Sequence, residues 1–269
     1  MFRKHMRKLY LFFQNQWRYA LTAVMFFTRI PIHFAHFNQL ELNKATRFFP
    51  LVGILVGSVG ALVFYLSISV LPLSIAVLLS MVATILLTGA FHEDGLADTV
   101  DGLGGGWTRE QALTIMVDSR IGSYGAIGMM LILLTKQQSL VEISAHFIPT
   151  ALIAGHALSR LCAVLVMFSQ PYVKTDGKAK PLATKIQSYE LLIASFFGLL
   201  PLYFVGLMHL PALLPVALVW VWFSKKIKTR LGGYTGDCLG AMQQLTEVTF
   251  YIGLLLSHLL FLQLQFLTL

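Results

Sequence analysis

Three aspartates, Asp94, Asp98 and Asp101, recur at i, i+4 and i+7 in the stretch HEDGLADTVDG. On an α-helix that spacing places all three on one stripe. Ionised carboxylates so arranged repel one another and raise each other's pKa. A divalent cation relieves that repulsion. An all-oxygen ligand set suits Mg²⁺, which keeps several waters and shares its shell with substrate phosphates. With Glu93 these residues make four of the chain's twelve acids within nine positions. Glu93 falls roughly 100° off the stripe and reads as a poorer ligand. His92 beside it reads as a hydrogen-bonded structural group. A solvated helix end would explain any one of these acids. Three on one stripe beside an apolar run point instead to a metal–phosphate site.

Further chemistry-bearing residues lie downstream. Asp118 and Arg120 sit in MVDSRIGSYG. Asp118 would complete the acidic set if the next helix returned beside the first. The Arg120 fork suits two-pronged binding of a phosphate, and a structural pair with Asp118 is the alternative. Gly95, Gly102, Gly122 and Gly125 leave room for close approach. Arg160 falls in an apolar run, where a charge normally faces a polar cavity or a partner acid. The glycine-rich stretch TRLGGYTGDCLGAMQQLTE, 229–247, carries Thr235, Asp237, Gln243 and Glu247. It reads equally as an anion cradle and as a plain loop. Lys225, Lys226, Lys228 and Arg230 beside it read mainly as topology anchors or headgroup contacts.

The elements that must position these residues are apolar. The 269 residues are 57% hydrophobic and 12% charged, against about a quarter charged in soluble domains. Runs near the ~20 residues needed to cross a bilayer recur along the chain. The expected fold is all-α, a polytopic transmembrane helical bundle of about seven spans. These are placed at 48–71, 73–92, 125–145, 147–169, 189–209, 211–224 and 246–268, the sixth short and tilted or partly re-entrant. Residues 17–34, broken by Arg29 and Pro31, read as an interfacial or re-entrant helix. No repeat or linker divides the chain, so 1–269 is taken as one integral membrane domain with a basic extension over 1–16. The basic, then apolar, N-terminus lacks a small-residue cleavage site and is not read as a removable signal peptide.

Of the 20 lysines and arginines, only Lys136 and Arg160 fall inside spans. The others precede the first span or follow spans two, four and six. The positive-inside rule then puts the N-terminus and the acidic stripe on the cytoplasmic face of the cytoplasmic (inner) membrane, and the C-terminus outside. The net charge of +8 therefore requires no nucleic-acid partner. Cys162 in an apolar span and Cys238 in a polar loop read as ordinary thiols.

GAFHEDGLADTVDG, MVDSRIGSYG, ALSRLCAV and LGGYTGDCLGA, in that order, resemble the successive signatures of the cobalamin synthase family, the adenosylcobinamide-GDP ribazoletransferases. FFTRIPI and RFFPLVGILVG near the N-terminus fit the same family. The resemblance implies an Mg²⁺-dependent membrane enzyme acting on adenosylcobinamide-GDP and α-ribazole or its 5′-phosphate. The products would be adenosylcobalamin or its 5′-phosphate, and GMP. It also implies metal ligation by Asp94, Asp98 and Asp101, and proton acceptance by an aspartate such as Asp118. Arg120, with Arg160 and Arg230, would hold phosphate oxygens. Membrane lipid is the expected surroundings, and oligomeric state stays open. Two rivals remain. A CDP-alcohol-type lipid phosphotransferase shares the chemistry, but its alanine–arginine pair after the first DG and its final aspartate are absent from DGLADTVDGLGGG. A cation transporter would hold its acids near the midplane, between repeated halves.

Overall fold

A computed structural model describes residues 2–32, 39–173 and 186–267. Among them the chain is helical, with a single isolated bridge between Tyr172 and Tyr234. The helices are α1 (Phe2–Phe27), α2 (Gln39–Ala45), α3 (Phe49–Ile68), α4 (Leu73–Thr88), α5 (Phe91–Gly105), α6 (Arg109–Ile115) and α7 (Ser123–Glu142). They continue with α8 (Ile148–Ser169), α9 (Ser188–Leu199), α10 (Leu202–Val205), α11 (Leu213–Leu231) and α12 (Gly236–Leu267).

By length and composition five segments can cross a membrane: 41–68, 148–169, 188–205, 207–231 and 236–261. The pair α4 and α5 makes a sixth if its two bent halves count as one span. About seven were expected from sequence. The difference lies at this bent pair and at α7, which is not among the five. The loop lysines expected at 174, 178, 180 and 185 lie outside the described residues, as do residues 33 and 34 of the expected interfacial segment. Within that segment α1 runs unbroken to Phe27, and the chain is non-helical from Arg29.

The helix α8 forms the centre, buried along almost its whole length. It packs against α3, α12 and α9. Between lipid-soluble helices there is no apolar driving force, so close backbone approach and polar bonds hold the bundle. Gly53 and Gly57 supply that approach. A side-chain carbon on Gly53 would strike the His156 carbonyl, and one on Gly57 would strike the Ile153 backbone. The polar bonds come from charges inside spans. Lys136 of α7 pairs with Glu247 of α12 at 2.9 Å, both almost fully buried. Tyr251 donates to the same carboxylate at 3.0 Å. Gln244 bridges the group to Glu93, accepting from Lys136 at 3.1 Å and donating to Glu93 at 2.9 Å.

The acids predicted at the end of the second span sit on a separate helix. The α4 helix ends at Gly89, and Gly89 and Ala90 are both left-handed, with φ of 66° and 57°. This elbow turns the chain by 87°. Glycine takes such a conformation freely, and Ala90 does so at a cost. The backbone N–H of Arg29 donates to Leu87 O at 2.8 Å, and its side chain lies over Gly89. A cation there complements the negative end of the α4 dipole. The long last helix was also placed too late in the chain. Its first three turns occupy most of the glycine-rich stretch, so Cys238, Gln243 and Glu247 are buried helical residues, not loop residues.

The α3–α8 contact yields a stability test. Gly53→Ala forces the two backbones apart, and overpacking of this kind costs about 1–3 kcal/mol. We expect a clear fall in Tm in detergent. Gly105→Ala, whose added carbon meets nothing closer than 3.4 Å, is expected to leave Tm nearly unchanged.

Candidate active site

The elbow places Glu93 and Asp94 in the first turn of α5. A helix start carries partial positive charge, so acids there are favoured. From there the stripe descends into the protein: Asp94 is exposed, Asp98 half-buried and Asp101 buried. The helix ends at Gly105, in the run of three glycines at 104–106.

Asp101 is occupied by the protein itself. One carboxylate oxygen accepts from Gly122 N at 2.7 Å and the other from Gly125 N at 2.8 Å. These amides belong to the start of α7, so Asp101 caps that helix from a neighbouring one. Gly122 and Gly125 do leave room for close approach, and what approaches is Asp101. The α7 start returns beside α5, as the sequence anticipated.

That return brings Asp118 and Arg120 to Asp101. All three line one open recess of about 410 Å³, together with Ser123 and Tyr124. Asp118 and Arg120 form a forked pair. Arg120 Nη2 donates to Asp118 Oδ2 at 2.6 Å, and Nε to Oδ1 at 3.0 Å. The Arg120 backbone N–H adds a bond to Oδ1 at 3.1 Å. The side-chain bond from Arg120, then its backbone bond, hold the Asp118 carboxyl down at about 2. Asp118 so paired is a weak base, and Arg120 is neutralised while its guanidinium stays exposed.

The second polar patch also reaches α5. Gly95 has no side chain because the Asp237 backbone lies against it, next to Asp94 in sequence. Gly240 approaches His92 of the same helix. Thr235 is buried and caps α12, accepting from Cys238 N at 3.2 Å and donating to Asp237 Oδ2 at 3.3 Å. Its hydroxyl is a helix cap, and the loop in this patch is confined to 232–235. Arg230 donates to the Gly106 carbonyl at the end of α5. Arg109 Nε donates to Leu231 O at 2.7 Å from the other side. Arg160 is separate from the Arg120 recess. It lines a small cavity of about 30 Å³ with Phe27, Phe49, Phe91 and His92. It donates to the His156 carbonyl at 3.0 Å, and its buried Nε has no partner.

Sequence reasoning missed Tyr172. Its hydroxyl is buried without a partner. Burial, then the charge of Asp237, pushes it up to about 12. Its backbone pairs with Tyr234 across the only bridge among the described residues, which ties the end of α8 to the start of α12. No spacing rule flags a lone tyrosine after a proline. Its role comes from a contact across 62 residues of chain.

As a metal site the stripe is open. Among the described residues no three histidines, cysteines or acids are gathered as a closed ligand set. Asp94 and Asp98, one turn apart on the outer part of the stripe, fit a cation that keeps most of its waters. Asp101 fits less well, because both its oxygens already accept amide hydrogens.

With this geometry in hand, the relatives can be considered. The family model CobS, described as cobalamin-5-phosphate synthase, matches residues 19–255. This chain belongs to that family. A protein of Shewanella frigidimarina named adenosylcobinamide-GDP ribazoletransferase is 46% identical over 94% of this chain and 96% of its own length. Proteins of the same name from Shewanella pealeana and Ralstonia pickettii are 48% and 46% identical over 90% of the chain. No solved structure matches the chain.

Two outcomes test the site. Asp101→Ala removes a cap serving two amides and is expected to cost about 1–2 kcal/mol of stability. Asp94→Ala, on an exposed side chain, should change stability by less than about 0.5 kcal/mol. Equal losses in unfolding experiments would contradict the assignment. The Asp118 carboxyl gives a pH test. Its folded value is depressed, so the pair's contribution is present above the ordinary value of 3.8 and is lost as pH falls toward 2. A ¹³C titration should find Asp118 near that depressed value in the wild type, and back near the ordinary one in Arg120→Ala.

Proposed function

We propose that this protein is an Mg²⁺-dependent adenosylcobinamide-GDP ribazoletransferase of the cytoplasmic membrane, with its site on the cytoplasmic face. The reading is carried by the near full-length identity to proteins of that name. The acidic stripe beside a forked arginine supports it chemically. In the reaction a free ribose hydroxyl of α-ribazole, or of its 5′-phosphate, gives up its proton to a base and attacks the phosphorus that bears the cobinamide arm, the 5′ position being left as it was. A new P–O bond forms, the pyrophosphate bond breaks, and GMP leaves.

Transfers of this kind depend on positioning and on neutralising charge at the phosphates. Bound at Asp94 and Asp98, Mg²⁺ would neutralise pyrophosphate charge and stabilise the leaving phosphate. Asp101 holds the head of α7, and with it the recess, at a fixed place against the stripe. Arg120 is exposed and forked, fitted to turn from Asp118 to two phosphate oxygens. That exchange would release Asp118 from the contact that holds it down. The Asp118 carboxylate would then become a better proton acceptor when phosphate is present, a suitable timing for general-base work on the attacking hydroxyl. Arg230 and Thr235 act at one remove, holding the end of α5 and the start of α12. The acids gather beside one open recess and the sequence shows no repeated halves, which favours the transferase over the transporter reading.

The direct test is purified protein in detergent with adenosylcobinamide-GDP, α-ribazole and Mg²⁺, followed by release of GMP. Asp98→Asn is expected to remove nearly all turnover while leaving the fold intact, since the amide keeps the size and loses the charge. Arg120→Lys is expected to lower kcat/KM about tenfold or more, roughly 1.4 kcal/mol, with a smaller change in Mg²⁺ requirement. Wild-type kinetics in Arg120→Lys would remove the phosphate-clamp role and leave the acidic stripe standing.

A further inference from the structure

The family match begins at residue 19, and the chain before it is built for a different task. Residues 2–18 continue α1 outward as one helix. Met6, Tyr10, Phe13 and Trp17 recur at i, i+4, i+7 and i+11, one face of a helix. All four are more than half exposed, at 53%, 67%, 61% and 66%. Farther along the same helix Ala20, Ala23 and Phe27 are buried against the protein. The apolar face thus runs on past the point where the protein stops covering it.

The other face is basic. Arg3, Lys4, Arg7 and Lys8 precede Gln14, Asn15 and Arg18, and no acid occurs before Glu41. Leu11 interrupts this polar side and Phe12 lies at its edge. Where the arm meets the body its direction is set by an ion pair, Arg18 Nη2 to Glu41 Oε1 at 2.6 Å. Arg47 Nη1 adds a bond to Gln16 Oε1 at 3.4 Å.

We propose that residues 2–18 form an amphipathic arm that lies on the anionic surface of the bilayer, with Met6, Tyr10, Phe13 and Trp17 sunk among the headgroups. Three observations commit the stripe to lipid. The arm belongs to a chain with five segments long and apolar enough to cross a membrane, so a bilayer surface is at hand for it. Its charge is uniformly positive, complementary to anionic headgroups, which draw basic segments toward the surface. Its apolar face carries tyrosine and tryptophan, whose apolar bodies and polar tips suit the interface. Helices of this kind bind in the plane of the interface through buried apolar area and charge together. The same helix α1 continues into Phe26 and Phe27, which pack on Phe49, Phe91 and His92, so the arm is joined by continuous helix to the start of α5.

The test uses the full-length protein in nanodiscs of phosphatidylcholine mixed with phosphatidylglycerol. The buried native thiols are removed as Cys162→Ala and Cys238→Ala, and single spin labels are placed at Phe13→Cys and Asn15→Cys. The label at 13 is expected to be several-fold more accessible to oxygen than to a nickel chelate, and the label at 15 the reverse. Adding Arg7→Glu and Lys8→Glu should reduce that contrast. Equal nickel accessibility at 13 and 15 would overturn the proposal, as would spin–spin broadening showing a second copy on the stripe. If the cysteine-free protein does not fold, quenching by brominated phosphatidylglycerol is compared in the wild type and in Trp17→Phe. Loss of a quenched component in Trp17→Phe supports the arm, and unchanged quenching refutes it.

Discussion

The Asp101 carboxylate accepts amide hydrogens from Gly122 and Gly125, and through those two bonds α5 fixes where α7 begins. A buried carboxylate with both oxygens bonded is held firmly, because leaving it unsatisfied costs more than an ordinary hydrogen bond returns. The recess that holds Asp118 and Arg120 opens off this junction. The acids above it on α5 inherit their orientation from the same helix. One residue thus links the outer part of the stripe to the arginine-bearing loop.

The helix α5 is itself held from three sides. At its start the left-handed pair Gly89–Ala90 turns it away from α4. Along its length the glycine contacts Gly95–Asp237 and Gly240–His92 bring α12 to backbone distance. At its end Arg230 bonds the Gly106 carbonyl. Close backbone packing of this kind tolerates little displacement. The exposed Asp94 and half-buried Asp98 therefore stand on a stiff platform, which is what charge stabilisation of a phosphate requires.

Much of this was legible in the sequence for a physical reason: helical spacing is local. The i, i+4, i+7 aspartates, the glycine stop after them and the apolar runs all report on residues a turn apart. The all-helical membrane class followed from such patterns. What depended on distant contacts was not legible. The elbow at Gly89–Ala90 hides inside an apolar run, because Ala90 gives no warning of a left-handed backbone. The pairing of Lys136 with Glu247, and the burial of Gln243 in the same helix, looked like unrelated polar residues. The glycine-rich stretch read equally as an anion cradle and as a loop because Gly232 makes a true turn while Gly240 serves helix-to-helix approach, which composition alone does not distinguish. Asp101 looked like one more metal ligand because spacing records direction and says nothing of what already fills the oxygens.

The Lys136–Glu247 pair also orders the making of the protein. Lys136 on α7 and Arg160 on α8 leave the ribosome well before α12 exists. Until then Lys136 is a charge among apolar segments without its acid, a state that costs several kcal/mol. Glu247 arrives with the last helix and joins Lys136, Tyr251, Gln243 and His156 in one buried group. Final closure of the bundle therefore waits on completion of synthesis, and a chain cut short before α12 retains Lys136 without the carboxylate that pairs with it.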